Sequence, residues 1–176
     1  MVILADRGRL SFLQAAFIAG CIVGLSTGER GFAADHEQLR QEGTRHYSAG
    51  RYFQAIEAFE KALAGAPEEA REPVKGDLAH ALAGLGFEYL SESEGKMAEE
   101  TFRRAIGVSE DYYANFGLGY LFFTRREDGE ARTYLLSSLG SRRDYAPTHK
   151  LLGLLDYRRG LTKEAIDRLS LSLRLD

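Results

Sequence analysis

The stretch "GRYFQAIEAFEKALAGAP", residues 50–67, sets small side chains among large ones at fixed places. Gly50, Ala55, Ala62 and Pro67 punctuate a run that otherwise carries Tyr52, Phe53, Ile56, Phe59 and Leu63. An amphipathic helix needs an apolar stripe facing the core, but amphipathicity alone asks for no alanine at a particular point of it. Small residues at set positions suit a helix that another helix crosses at close range.

The same spacing recurs along the chain. Leu-Gly pairs end at Gly86, Gly119 and Gly153, and Gly43 after Glu42 stands in the same series, the four glycines separated by 43, 33 and 34 residues. Twelve residues after each glycine stands an alanine: Ala55, Ala98, Ala131 and Ala165. Four residues beyond each alanine stands a large apolar group: Phe59, Phe102, Leu135 or Leu169. On a helix, four residues on is one turn along the same face, so the large group fills the gap beside the small one.

With these residues the chain resembles the tetratricopeptide (TPR) family, whose 34-residue helix-turn-helix repeat reads L-G-x-x-Y…A-x-x-x-F…P. Repeat one, about 36–69, places Leu39, Gly43, Ala55, Phe59, Ala62 and Pro67. Repeat two, about 79–111, places Leu82, Gly86, Tyr89, Ala98, Phe102 and Ala105. Repeat three, about 112–145, places Leu118, Gly119, Phe122, Ala131, Leu135 and Ser138, and repeat four, about 146–176, places Leu152, Gly153, Ala165, Leu169 and Ser172. Departures from the pattern are Glu42, His46, Asn115 and Asp156; none removes a small residue. The resemblance implies an all-α, right-handed solenoid of about four repeats over 36–176. Turn signals fall where such helices must reverse: "SAGRY" 48–52, "SESEG" 91–95, "RREDGE" 125–130 and "RRGLT" 158–162. The polar stretch "AREPVKGDL", 70–78, supplies the extra length between repeats one and two. Its Pro and Gly favour a lengthened loop with Asp77 as N-cap, against a longer first helix in repeat two.

Residues 1–33 read differently. Arg7 and Arg9 precede Leu10 to Leu25, which contain no charge, and "GFAA" follows with Gly31 and Ala33. That order is the layout of a secretory signal peptide, with cleavage after Ala33. A second reading takes "IAGC", 18–21, as a lipobox that would make Cys21 a lipidated first residue. A third keeps the segment as a membrane anchor, although about 16 apolar residues fall short of the ~20 that span comfortably. All three predict export, with a periplasmic location favoured and a lipoprotein as its alternative; membrane contact follows only from lipidation or retention. Cys21 is the one cysteine, so no intrachain disulfide forms. Without residues 1–33 the chain has 20 Lys and Arg against 24 Asp and Glu, which gives no case for a nucleic-acid partner.

Nor does the sequence point to catalysis. His36, His46, His80 and His149 fall in different repeats or helical phases, and no metal, nucleophile or thiol-redox motif occurs. "GLG" at 84–86 and 117–119 lacks the third glycine and the preceding strand of a dinucleotide loop. No enzyme activity and no cofactor are expected. Binding is another matter, because stacked helix pairs present the first helix of each pair on a concave face.

The groove positions carried over from the family hold Glu37, Arg40, Thr44, Tyr47 and Ser48 in repeat one, and His80, Ala83, Phe87, Leu90 and Ser91 in repeat two. Repeat three offers Tyr113, Phe116, Tyr120, Phe123 and Thr124, and repeat four Lys150, Leu154, Tyr157 and Arg158. The resemblance therefore implies a groove for a peptide or helix, aromatic in the middle and basic at its far rim. The opposing reading has Phe116, Phe122 and some tyrosines simply filling the core between repeats. The TPR subfamily that clamps a terminal carboxylate uses Lys and Asn where this chain has Arg40, Thr44, Gly84, Tyr113 and Gly117, so that clamp is not implied. The last helix, "TKEAIDRLSLSLRLD", leaves Ile166, Leu169 and Leu173 without a following helix. It docks on a partner or a second copy, or the chain is the front end of a larger envelope protein or enzyme.

Overall fold

The computed structural model describes residues 35–176; the expected signal segment and Cys21 lie outside the described residues. Among the described residues there are eight helices and no strand: α1 (35–48), α2 (Tyr52–Gly65), α3 (Glu68–Ser91), α4 (Gly95–Val108), α5 (Tyr112–Thr124), α6 (Asp128–Ser141), α7 (Ala146–Arg158) and α8 (Thr162–Leu175). They pair in sequence order into four antiparallel hairpins, and each hairpin packs on the next.

Close approach explains the repeated small residues. A Cβ added at Gly43 would lie 2.6 Å from the Phe59 ring, at Gly86 2.5 Å from Phe102, at Gly119 2.7 Å from Leu135, and at Gly153 2.9 Å from Leu169. Within every hairpin the glycine of the first helix thus receives the large residue of the second. Ala55, Ala98 and Ala131 are fully buried and Ala165 nearly so, as steric contact across the hairpin requires. Leu169 therefore turns inward, while Ile166 and Leu173 beside it stand 58% and 80% exposed. The buried serines at the next small position are satisfied by α7: Ser138 Oγ lies 3.1 Å from Thr148 Oγ1, and Ser172 Oγ donates to the Ala146 carbonyl at 2.9 Å.

The stretch 70–78 corrects the expected loop. It is helical, and α3 runs unbroken from Glu68 through Pro73. Asp77 caps nothing; it accepts from Arg40 Nε across the α1–α3 contact. Two effects outweigh the helix-breaking residues. Ala70, Val74, Leu78 and Leu82 form a four-residue stripe, and Val74 and Leu78 are buried. Glu68 and Glu69 sit in the first turn, where negative charge suits the helix dipole, and Arg71–Glu68 and Lys75–Glu72 pairs brace the exposed side.

All four turns inside the hairpins are the same motif. Gly50, Ser93, Arg126 and Gly160 hold φ between 65° and 76°, and their N–H groups donate to the carbonyls of Tyr47, Leu90, Phe123 and Tyr157. The next N–H in each turn donates five residues back, to His46, Tyr89, Phe122 and Asp156. This pair of bonds closes a helix with a left-handed residue. Ser93 and Arg126 adopt that conformation without glycine's freedom.

The array has an inner and an outer face. α3 packs on α5 and α5 on α7, whereas α2, α4 and α6 reach one another only through long side chains, Arg104 to Glu60 and Arg103 to the Tyr134 hydroxyl. Arg40–Asp77 and a Tyr47–His80 ring contact at 5.4 Å join α1 to α3 in the same manner. The odd-numbered helices therefore share one face of the array, the inner face, as the repeat implies.

Candidate functional site

Aromatic side chains on the odd-numbered helices meet ring to ring along the inner face. His80 lies 5.4 Å from Tyr47, 5.8 Å from Tyr112 and 5.4 Å from Tyr113. Tyr113 stacks on Phe87 at 4.4 Å, and Phe87 reaches Phe116 at 5.9 Å. Tyr145, just before α7, contacts Tyr112 at 5.1 Å and Phe116 at 5.2 Å, edge on. Phe116 continues to Tyr120 at 6.5 Å. Rings in contact over α1, α3, α5 and the start of α7 form one strip. They are half-buried, except that Tyr120 is 40% exposed.

Local sequence explains the strip. α5, "YYANFGLGYLFFT", contains no charged residue, so both of its faces take apolar contact. One face carries Leu118 and Phe122 into the core, and Tyr113, Phe116 and Tyr120 lie along the inner strip. Asp111 fixes its start: Oδ1 accepts from the Ala114 N–H at 2.7 Å and Oδ2 meets His80 Nδ1 at 3.0 Å. Burial pushes the hydroxyls of Tyr47 and Tyr145 up to about 12, with neighbouring tyrosines adding to the shift. Both stay neutral at physiological pH and meet their neighbours as uncharged rings.

The residues expected to line the groove divide into three kinds. Tyr120 and Tyr157 stand open to solvent, Tyr157 at 68%, and Lys150 is exposed with no ion pair among the described residues. Tyr47, Phe87, Leu90, Tyr113 and Phe116 are half-buried against the core and present only part of their surface. The charged pair is tied down. Arg40 binds Asp77 and lies 3.9 Å from Glu37, while Arg158 donates to Asp128 at 2.6 Å and covers the half-buried Phe123 ring at 3.8 Å. At the rim stand Lys150 and Arg142, whose guanidinium lies 4.9 Å over Tyr112, donates to its hydroxyl at 2.8 Å and pairs with Asp144 at 3.3 Å.

The repeat register places His80 on the groove but misses Tyr112 and Tyr145. Tyr145 precedes the helix by one residue, so a register counted within repeats overlooks it. Phe122, by contrast, is buried and stacks on Tyr134 at 5.5 Å, away from the strip. Among the described residues no group of three His, Cys, Asp or Glu side chains could hold a metal ion, and no helix is long and apolar enough to cross a membrane.

No protein-family model and no curated protein sequence matches the chain. Solved structures do. A structure of MamA, 20% identical, aligns with a TM-score of 0.53 over 98% of this chain and 96% of that one. Pseudomonas aeruginosa pilF, 23% identical, aligns at 0.55 over 83% of this chain and 63% of its own. YrrB, a TPR protein with an unusual peptide-binding site, is 16% identical and aligns at 0.50 over 92% and 82%. At such identities the likeness is one of architecture: the chain has the tetratricopeptide-repeat fold.

Proposed function

We propose that the protein is a non-enzymatic interaction scaffold that holds a peptide or helix of a partner protein along its inner face. The aromatic strip carries this reading, because linked rings that keep part of their surface in water suit a protein-binding patch. Right-handed stacking of the hairpins, as the repeat implies, would wrap that strip around the bound segment. The test is a Tyr120→Ala, Phe123→Ala double variant in a cross-linking experiment on intact cells. Capture of the partner should fall to background while helicity by circular dichroism stays as in the wild type. Undiminished capture would move the binding surface elsewhere.

The proposed setting is the bacterial cell envelope, with the scaffold exported by residues 1–33. The mass of the mature chain checks this: a start at Ala34 supports signal cleavage, a diacylated start at Cys21 supports a lipoprotein, and an intact Met1 argues for a retained segment. Exposed Ile166 and Leu173 on α8 favour a second contact, with a further copy or with additional sequence in a larger envelope protein.

A further inference from the structure

Between α1, α2 and α3 the inner face opens into a cavity of about 140 Å³ lined by Thr44, Tyr47, Phe59, Asp77 and His80. Three of its five walls are aromatic rings and one is a carboxylate. The space is roughly tenfold the ~10–15 Å³ that one water needs, so a side-chain head group fits it. A repeat scaffold has no packing reason for this composition. Phe59 is explained by Gly43, whereas Asp77, His80 and the half-buried Tyr47 all keep contact with solvent.

We infer that this cavity is a lysine pocket: it takes the primary ammonium of one lysine in the segment laid along the groove. The inference rests on the groove reading above and adds the chemistry of one bound residue. Ring faces attract a cation, most strongly where water is partly excluded. Asp77 offers one carboxylate oxygen as acceptor, since Oδ2 accepts from Arg40 Nε while Oδ1 has no hydrogen bond among the described residues. Arg40 also leans on Glu37, and His80 meets Asp111. Three carboxylates, of Glu37, Asp77 and Asp111, outnumber the cations Arg40 and His80 can supply, which leaves the surroundings net negative. Thr44 Oγ1 donates to the Arg40 carbonyl, which leaves its lone pairs to accept. An ammonium brings three donors to these two acceptors and rests its remaining surface on the rings. A quaternary ammonium would satisfy the rings but leave Asp77 Oδ1 and Thr44 Oγ1 unpaired. A guanidinium is broader, and Arg40 already occupies the side of Asp77 that would receive its fork.

The test uses n-butylammonium, the head and stem of lysine, titrated into the full chain and followed through the ring resonances of Tyr47 and His80. Saturable shifts are expected, with n-butanol producing at least about tenfold weaker ones, since removing the charge removes the cation–π and carboxylate terms. Asp77→Asn should weaken n-butylammonium by a similar factor, and Tyr47→Leu, which keeps bulk but loses the ring, by several-fold. Equal binding of n-butanol would reduce the cavity to an apolar dent and overturn the proposal. So would tighter binding of tetramethylammonium, an unaffected Asp77→Asn variant, or the absence of any saturable shift. Partner capture that survives Asp77→Asn but not the Tyr120, Phe123 double variant would sink the lysine pocket and leave the groove standing. Loss of the groove reading alone would show as intact capture in that double variant.

Discussion

Phe102→Ala is expected to cost about 3–5 kcal/mol, the upper range for emptying a core aromatic site. The Phe102 side chain is fully buried, and two backbones close on the same part of its ring. A Cβ at Gly86 of α3 would lie 2.5 Å from Cε1, and one at Gly117 of α5 would lie 2.3 Å from Cε1 and from Cζ. Phe87 packs on the same ring edge to face at 5.0 Å. Phe102 therefore joins the second hairpin internally and to the third. Against a typical domain stability of about 5–15 kcal/mol, its loss removes between about a fifth and the whole of the margin. Gly117→Ala sharpens the test because two effects oppose. Alanine in a helix is favoured over glycine by about 1 kcal/mol. The clash must displace a ring held by Gly86 on α3, and overpacking of this sort costs about 1–3 kcal/mol or more. Destabilisation should win. Phe102→Leu combined with Gly117→Ala should recover part of the loss, because the smaller side chain vacates the space the new methyl needs. Urea unfolding followed by circular dichroism reads all three variants. A Gly117→Ala protein as stable as the wild type would refute the close approach.

That pair also shows what the sequence makes legible. Gly43, Gly86, Gly119 and Gly153 recur in phase with the alanines twelve residues on, so contacts within a hairpin can be read by counting. Gly84 and Gly117 break no such pattern, yet each accommodates the preceding hairpin: Tyr52 would lie 2.4 Å from a Cβ at Gly84. Contacts between hairpins depend on how one unit rotates on the next, and a linear repeat does not encode that angle locally. The four left-handed turns divide likewise. Glycine marks Gly50 and Gly160, while Ser93 and Arg126 take the same conformation because the hairpin closure dictates it.

The stretch 70–78 was read by its Pro73 and Gly76, but local punctuation loses there to the apolar stripe running into Leu82. At the inner face the positions of Tyr113, Phe116 and Tyr120 follow from the repeat register. Their partial burial does not, since it comes from ring contacts between helices far apart in sequence. The pairing of Arg40 and Arg158 with Asp77 and Asp128 is equally out of reach of a register, so a basic rim counted from sequence overstates the free charge.

Removing Arg132 and Arg168 together is expected to destabilise the protein more than removing Asp156, although the three form one cluster. Asp156 stands where the repeat carries tyrosine, and its side chain is 1% exposed. Oδ1 accepts from Arg132 Nη1 of α6 at 2.7 Å, and Arg168 Nε of α8 lies 2.8 Å from Oδ2 as an ion pair without hydrogen-bond alignment. The carboxylate thus ties α7 to the preceding hairpin and to its own second helix. Both arginine side chains keep 29–30% of their surface in water. Asp156→Ala frees two cations that reach solvent by extending their stems, so the loss is limited to the bonds and a small void, about 1–3 kcal/mol. The Arg132→Ala, Arg168→Ala pair instead strands a carboxylate that has nowhere to go, and a buried charge without a partner costs about 3–5 kcal/mol. Each single arginine variant should fall between the wild type and the pair, because the other arginine still compensates the charge. Chemical denaturation orders the variants, and limited proteolysis locates the loosened part, which should begin in α7 and α8 before α3–α5 open. If Asp156→Ala proved as damaging as the double arginine variant, the burial of the carboxylate would not be the controlling term, and packing around Asp156 would have to carry the cluster's role.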